Sequence, residues 1–224
     1  MTTTLILPVK RLADAKTRLA PLLSRAARRE LMEALVTQNL ATLAGVPGTE
    51  LCVATSDPRA ADLARAHGAV VLDDGGRPWN DGLALAISQL SGADTVAIVA
   101  GDLPLLEAAD VVALLEAAPA RGVAIGRARD GGTNALCLRP PDLFVPSFGA
   151  PRSSTVHAGL AAAVDAPAVL VDRLGLALDL DTADDVEAAL AAGLNGHVGE
   201  LLRIYRNRSD DGSRTSSAAE PSPR

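Results

Sequence analysis

The sequence predicts an α/β fold with a mostly parallel central sheet flanked by helices, and three observations carry that prediction. Short β-branched apolar runs alternate with helix-period segments four times between Thr3 and Ala118, the pattern of right-handed βαβ units. The run Thr95-Val96-Ala97-Ile98-Val99-Ala100 is nearly free of polar residues, as a parallel strand covered on both faces reads. It stops on Gly101-Asp102, and Pro104 bars its continuation in a central ladder. A carboxylate is thereby left at the C-terminal end of a buried strand, where open α/β sheets bind their ligands.

Taken in order, Thr3 to Val9 reads as the first strand, followed by the basic loop Lys10-Arg11-Leu12-Ala13-Asp14-Ala15-Lys16-Thr17-Arg18-Leu19. Ser24 is placed to cap a long helix whose apolar positions, Leu31, Met32, Leu35, Val36, Leu40 and Leu43, recur at helical spacing. Gly45 and Pro47 end it. Glu50 to Thr55 is the second strand. Asp57-Pro58 then gives an N-cap with proline at the first helical position, opening a helix to His67 that Gly68 terminates. Ala69 to Leu72 is a third strand, and Asn80 or Asp81 caps a helix running through Leu90.

After the central strand a helix is expected from about Glu107 to Ala118. Gly122–Arg127 and Thr133–Arg139 read as strands joined like a hairpin across Asp130-Gly131-Gly132. Ser153 or Ser154 caps a helix to Val164, and Ala168–Val171 and Leu176–Leu180 are further strands. Thr182-Ala183-Asp184-Asp185 resembles a capping box with Asp at its last position, starting a helix to Ala192. The Ser-, Arg- and Pro-rich residues from Asn207 onward read as a disordered tail, which gives a domain over 1–206 and a tail over 207–224.

Composition narrows the chemistry. The 224 residues carry 21 basic and 27 acidic side chains, a net charge of -6, which argues against bulk nucleic-acid binding. Yet residues 1–30 hold seven basic side chains (Lys10, Arg11, Lys16, Arg18, Arg25, Arg28, Arg29) against Asp14 and Glu30. A basic pocket in an acidic protein suits a small polyanion. Cys52 and Cys137 lie in apolar strand-like runs and read as reduced core thiols. With no leader pattern and no membrane-length apolar run, the expectation is a soluble cytoplasmic protein.

Three groups of residues can carry chemistry. Lys10, Lys16 and Arg18 offer cationic donors around one turn between a strand and a long helix, a seat for a polyphosphate without a Walker loop. They read equally as a solvated basic loop. Asp102 ends one strand, and alternation places Asp179 and Asp181 on one face at the end of another. Together they can hold one Mg²⁺, an ion that prefers oxygen ligands. Otherwise Asp181 is a helix cap, Asp179 a solvent-facing strand end and Asp102 a turn residue.

Gly131-Gly132-Thr133 and the Ser153-Ser154 helix start, with Arg152 beside it, can each hold a phosphate or carboxylate through backbone N–H groups. A tight turn and an ordinary cap explain them as well. His157, one turn further on, can reach the same anion. With only three histidines and no zinc spacing or Gly-x-Ser-x-Gly elbow, zinc and acyl-transfer chemistry are disfavoured. The parts favour nucleotidyl transfer, in which an ionised phosphate attacks a nucleoside triphosphate and needs no general base.

Five motifs then occur in order: Pro8-Val9-Lys10-Arg11-Leu12 with Ala15-Lys16-Thr17-Arg18-Leu19; Gly101-Asp102-Leu103-Pro104; Gly132-Thr133-Asn134-Ala135-Leu136; Phe148-Gly149 with Ser153 and His157; and Leu178-Asp179-Leu180-Asp181-Thr182. Over roughly residues 4–193 the chain resembles the 2-phospholactate/phosphoenolpyruvate guanylyltransferase family of coenzyme F-420 biosynthesis. The resemblance implies a single-domain, glycosyltransferase-A-like nucleotidyltransferase fold. It also implies condensation of GTP with a small phosphorylated acid, the product passing to a later transferase. On this resemblance Asp102, Asp179 and Asp181 would hold Mg²⁺, Lys10, Lys16 and Arg18 would face the triphosphate, and Thr133, Gly149 and Ser153 would bind the acid. Asn80 falls where the family has an Asn near the nucleotide.

The family commonly reads Phe-Gly-Pro-x-Ser, and Phe148-Gly149-Ala150-Pro151-Arg152-Ser153 is one residue longer. Ser154 is therefore an alternative to Ser153, and 3-phosphoglycerate an alternative to phosphoenolpyruvate and 2-phospholactate. A molybdenum-cofactor-type nucleotidyltransferase lacks support because its Gly-rich Leu-x-Gly-Gly opening is absent. A non-catalytic GTP-binding module fits less well with three intact aspartates.

Overall fold

In the computed structural model, residues 2–216 are described. The four strand–helix units are β1 (Thr3–Pro8) and α1 (Arg25–Ala44), β2 (Thr49–Ala54) and α2 (Pro58–Ala66), β3 (Val70–Leu72) and α3 (Trp79–Ser88), and β4 (Thr95–Val99) and α4 (Ala108–Ala117). There follow β5 (Gly122–Arg127), β6 (Thr133–Arg139), α5 (Ser153–Ala162), β7 (Ala168–Val171), α6 (Leu174–Ala177), α7 (Ala183–Ala191) and α8 (Gly196–Ser216). One sheet results, in the order β3-β2-β1-β4-β6-β5-β7. β6 runs antiparallel to both neighbours, β4 and β5, and every other pairing is parallel.

Strand alternation sorts the core. Leu5, Leu7, Ala97 and Val99 face a layer that includes Val36 and Leu40 of α1, Ala60 of α2 and Leu114 of α4. Ile6, Val96 and Ile98 face the other side, covered by Leu83 of α3 and Ala161 of α5. A third cluster joins Leu31 and Leu35 of α1 to Leu178, Leu180, α7 and α8. Cys52 and Cys137 are buried and free on opposite faces, and burial raises each thiol to about 11. No helix among the described residues is long and apolar enough to cross a membrane.

Local chemistry fixes the element starts. Ser24 Oγ accepts the Ala27 N–H, and Thr182 and Asp185 form a reciprocal capping box on α7. Asp57 Oδ1 accepts from the N–H groups of Arg59 and Ala60, while Oδ2 accepts from Leu12 N–H at 3.1 Å. One carboxylate thus caps α2 and ties down the basic loop.

Four expectations change. Pro78, not Asn80 or Asp81, is the N-cap of α3, and Asn80 spends its side chain on a neighbouring loop. At α5 the N-cap is Arg152, in left-handed conformation at φ 55°, and neither serine side chain caps the helix. The run Leu176–Leu180 is not a strand. Its first part lies in α6, where the Ala177 carbonyl accepts from Arg129 N–H, and Leu180 N–H donates to the Asp102 carbonyl. A short apolar run does not by itself distinguish a strand from a buried turn. Finally, α8 carries the backbone to Ser216, across residues expected in the tail. No proline interrupts this charged stretch before Pro221. Residues 217–224 of the expected tail lie outside the described residues.

Gly175 shows why α6 packs as it does. A Cβ there would overlap Asp110 Oδ2 and lie 2.7 Å from the Leu105 carbonyl oxygen. Asp110 is committed, accepting from Glu107 N–H at 3.0 Å and from Arg173 Nε at 2.9 Å. Gly175→Ala is therefore expected to destabilise the protein by about 1–3 kcal/mol in urea unfolding; an unchanged midpoint would contradict this packing.

Candidate active site

The basic loop folds into two 3-10 turns, Leu12–Asp14 and Thr17–Leu19, with Lys16 between them in left-handed conformation at φ 56°. A non-glycine residue adopts that backbone only when its surroundings enforce it. Here the result is an inward-pointing side chain, 4% exposed, whose Nζ lies 2.5 Å from Asp102 Oδ2 and 2.9 Å from Asp181 Oδ1. Arg18, largely in solvent, reaches Asp181 Oδ2 at 3.3 Å. Asp102 lies three residues beyond the end of β4, and Asp179 and Asp181 alternate with the buried Leu178 and Leu180 along an extended segment. Carboxylate oxygens of Asp102, Asp179 and Asp181 lie within 4.8 Å of one another, and Asn134 Nδ2 donates to Asp179 Oδ1 at 3.3 Å.

The charges explain what this cluster can hold. Two carboxylates within 4.8 Å of each other repel by roughly 3–4 kcal/mol or more at an effective dielectric near 20, so the group calls for cations. Burial, the largest influence, lowers the Lys16 pKa. The charges of Asp102 and Asp181 and hydrogen bonds to both outweigh it and hold Lys16 above the usual lysine value. Burial raises the Asp179 pKa, the Asp102 and Asp181 charges add to the rise, and the Asn134 bond opposes it. Lys16 touches Asp102 and Asp181 but leaves Asp179 with only an amide partner. An all-oxygen set with uncompensated charge fits a hard divalent cation.

Two cavities meet at this cluster. One, of about 530 Å³, is lined by Lys10, Arg11, Lys16, Ser56, Gly76 and Asp181. The other, of about 250 Å³, is lined by Thr133, Asn134, Phe148, Gly149 and Asp179. Pro8, Trp79 and Asp102 belong to both walls. Lys10 is held in the larger cavity by Asp74 at 2.6 Å and the Arg77 carbonyl at 2.8 Å. A Cβ at Gly82 would come 2.8 Å from its Nζ. Burial raises the Asp74 pKa, but the Lys10 bond, the Gly76 N–H and Ser56 together pull it below the ordinary carboxylate value.

Behind the smaller cavity lies a polar layer. Ser153 Oγ donates to Thr133 Oγ1 at 3.2 Å, and Ser154 Oγ donates to the Gly131 carbonyl at 2.7 Å. The Ser153 hydroxyl joins Thr133, whereas that of Ser154 is spent on the turn. Asn80 accepts from Phe148 N–H at 2.8 Å and donates to its carbonyl at 3.1 Å, so it braces the Phe148-Gly149 loop instead of lining either cavity. His157 is fully buried, with Nδ1 2.9 Å from Thr133 Oγ1 and Nε2 accepting from Ser147 N–H at 3.0 Å.

A larger groove, about 1,080 Å³, opens elsewhere between α1 and α8. Its charged groups largely neutralise one another, Glu33 pairing with Arg29 and Arg59, and Arg25 with Asp14. It lacks the convergent carboxylates of the smaller cavities.

A family model described as guanylyl transferase CofC-like matches residues 3–218. The chain belongs to this family. Over 191 residues it is 39% identical to a phosphoenolpyruvate guanylyltransferase of Sphaerobacter thermophilus, covering 84% of this chain and 92% of the relative. It is 33% identical to a 2-phospho-L-lactate guanylyltransferase of Methanothermobacter thermautotrophicus, over 92% of each chain. A 3-phospho-D-glycerate guanylyltransferase of Phenylobacterium zucineum is 35% identical, over 91% of this chain and 96% of the relative. A crystal structure from Desulfovibrio desulfuricans G20, assigned provisionally to the nucleotide-diphospho-sugar transferases, superposes with a TM-score of 0.78 at 19% identity. It covers 94% of this chain and 98% of that one. These likenesses support the nucleotidyltransferase fold and an enzyme of nucleotidyl transfer.

Among the family motifs, the structure brings Lys16, Arg18, Asp102, Asp179 and Asp181 into one cluster and sets Lys10, Thr133 and Gly149 on the adjoining walls. Sequence reasoning missed Asp74 and Trp79. The lone tryptophan of an aromatic-poor chain, directly after Pro78, was the available signal.

His157 makes a pH test possible. Burial lowers its pKa from 6.5 to about 4. Between those values the unfolded chain binds a proton that the folded chain refuses, so stability rises with pH across the window and is lost as pH falls through it. The contribution is on the order of 3 kcal/mol. His157→Gln should flatten unfolding free energy against pH between 6.5 and 4 by about that amount; an unaltered slope would contradict a buried neutral ring.

Proposed function

We propose that this chain condenses GTP with a small phosphorylated three-carbon acid, releasing pyrophosphate. The observation that carries the reading is the position of Asp102 on the wall shared by the two cavities. A triphosphate in the larger cavity and an acid in the smaller would present their reacting groups to one another beside the carboxylates. At about 250 Å³ the smaller cavity lies below the usual range for drug-sized ligands, which suits an acid of this size.

The acid's ionised phosphate oxygen attacks the α-phosphorus of GTP. A new P–O bond forms, the bond from the α-phosphorus to the bridging oxygen breaks, and pyrophosphate leaves with that oxygen. No proton need be removed from the nucleophile. The chain's work is therefore orientation and charge neutralisation. Lys10, fixed by Asp74, and Lys16 and Arg18 supply positive charge on the triphosphate side. Thr133 and Gly149 bind the acid, with Ser153 behind Thr133, and Asn80 keeps the Phe148-Gly149 loop in place. Asp102, Asp179 and Asp181 would hold Mg²⁺, whose chemistry there is neutralisation of the triphosphate and leaving-group charge.

Relatives named for phosphoenolpyruvate, 2-phospho-L-lactate and 3-phospho-D-glycerate lie between 33% and 39% identity, so all three acids are candidates. The phosphoanhydride product keeps a good leaving group, which suits onward transfer of the acid by a later transferase in coenzyme F-420 biosynthesis. Buried, unpaired Cys52 and Cys137 accord with a cytoplasmic enzyme.

The test is pyrophosphate release with Mg²⁺, crossing the four nucleoside triphosphates against the three acids. Release with GTP and at least one acid is expected. Asp102→Asn should lower kcat by at least about 100-fold while GTP binding persists. Release with another triphosphate alone, or full turnover by Asp102→Asn, would overturn the assignment.

A further inference from the structure

His157 lines neither cavity, yet both ring nitrogens are engaged. Nε2 accepts from Ser147 N–H, and a backbone amide can only donate. Nε2 therefore carries the lone pair, and the proton of the neutral ring sits on Nδ1. Nδ1–H consequently donates to Thr133 Oγ1, and Ser153 Oγ donates to the same oxygen. A hydroxyl has two acceptor lone pairs and one proton. With both lone pairs filled by Nδ1–H and the Ser153 hydroxyl, the Thr133 proton is left for a third partner, and Thr133 is on the cavity wall with Asp102 and Gly149. Phe148 packs edge-on to the imidazole at 5.0 Å and Phe144 lies roughly parallel to it at 6.3 Å, which fixes the ring plane. Burial keeps the ring neutral, as this tautomer requires.

We infer that His157 is a positioning residue: with Ser153 it turns the Thr133 hydroxyl into a fixed donor to the anionic group of the acid, and so sets acid affinity without contacting the acid. The inference rests on the guanylyltransferase reading above. It assigns His157 to selection of an acceptor anion, and not to triphosphate binding or to proton transfer. A neutral donor held in one orientation costs little to reorganise when the anion arrives, unlike a freely rotating hydroxyl.

Two amide substitutions separate this role from a merely structural one. Asn places an amide near the Nδ1 position and can still donate to Thr133, whereas Gln reaches the Nε2 position and can still accept from Ser147. KM for acid and for GTP is measured in pyrophosphate release for the unsubstituted enzyme, His157→Asn, His157→Gln, Thr133→Val and the Gln/Val double variant. His157→Gln should raise acid KM at least about tenfold and His157→Asn at most about threefold, with GTP KM moving less than about twofold. In the Thr133→Val background the Gln substitution should add less than about twofold.

Asn more damaging than Gln would make His157 an anchor for Ser147 and overturn the inference, as would a full Gln effect in the Thr133→Val background. Should the ring variants fail to fold, Thr133→Val alone decides: it must raise acid KM at least about tenfold, GTP KM holding, or the inference falls. No turnover by the unsubstituted enzyme with any acid would overturn the guanylyltransferase reading and this inference with it, a result distinct from a reversed Asn and Gln order.

Discussion

The ammonium of Lys16 sits between carboxylates brought from distant parts of the chain, Asp102 at the end of β4 and Asp181 at the start of α7. Burying a charge is costly unless it is paired and hydrogen-bonded, and Lys16 is both. The arrangement constrains much else. Lys16 must hold a left-handed backbone, the basic loop must be pinned to Asp57 through Leu12, and Leu180 N–H must meet the Asp102 carbonyl at 3.2 Å. If one of these gave way, carboxylates within 4.8 Å of one another would face each other with less compensation. The same concentration of negative charge is what would let the cluster hold a divalent cation.

From that centre the functional geometry follows. β1 ends at Pro8 and β4 just before Gly101-Asp102, adjacent parallel strands whose C-terminal ends open into both cavities. The sheet's switch of direction at β6 then delivers Thr133 and Asn134 to the same edge from the opposite side. In the proposed reaction, the parallel half of the sheet would carry the residues that meet the triphosphate and the antiparallel strand those that meet the acid. Asp102 lies where the two halves meet. On the proposed reading, transfer between two anions would be a matter of holding both against that seam with their charge neutralised.

Much of this was legible in the sequence where one local signal sufficed. The apolar β-branched run at Thr95, the Ser24 and Asp57 caps and the Thr182 box each rest on a single short-range rule, and each appears in the fold. Most of what failed depended on partners distant in sequence. Leu176–Leu180 has a strand's composition, but Gly175 against Asp110 and the Leu180 bond to Asp102 draw it into a turn and an extended strap. Asn80 and Ser153 look like caps, yet tertiary partners, Phe148 and Thr133, claim their side chains. The approach of Asp179 and Asp181 to Asp102 was anticipated by alternation along a strand; the alternation holds along an extended segment without a ladder. The pairing of Lys10 with Asp74, 64 residues away, has no local signature.

Transfer of a nucleotidyl group across the Asp102 seam is tested most directly by the fate of the phosphorus atoms. GTP labelled at the α-phosphorus and, separately, at the γ-phosphorus would be turned over with each acid and the products separated. Nucleotidyl transfer predicts α label in a product that also contains the acid, and γ label in pyrophosphate. Label from the γ position on the acid, with α label left in a free nucleoside diphosphate, would mean phosphoryl transfer and contradict the assignment of both cavities.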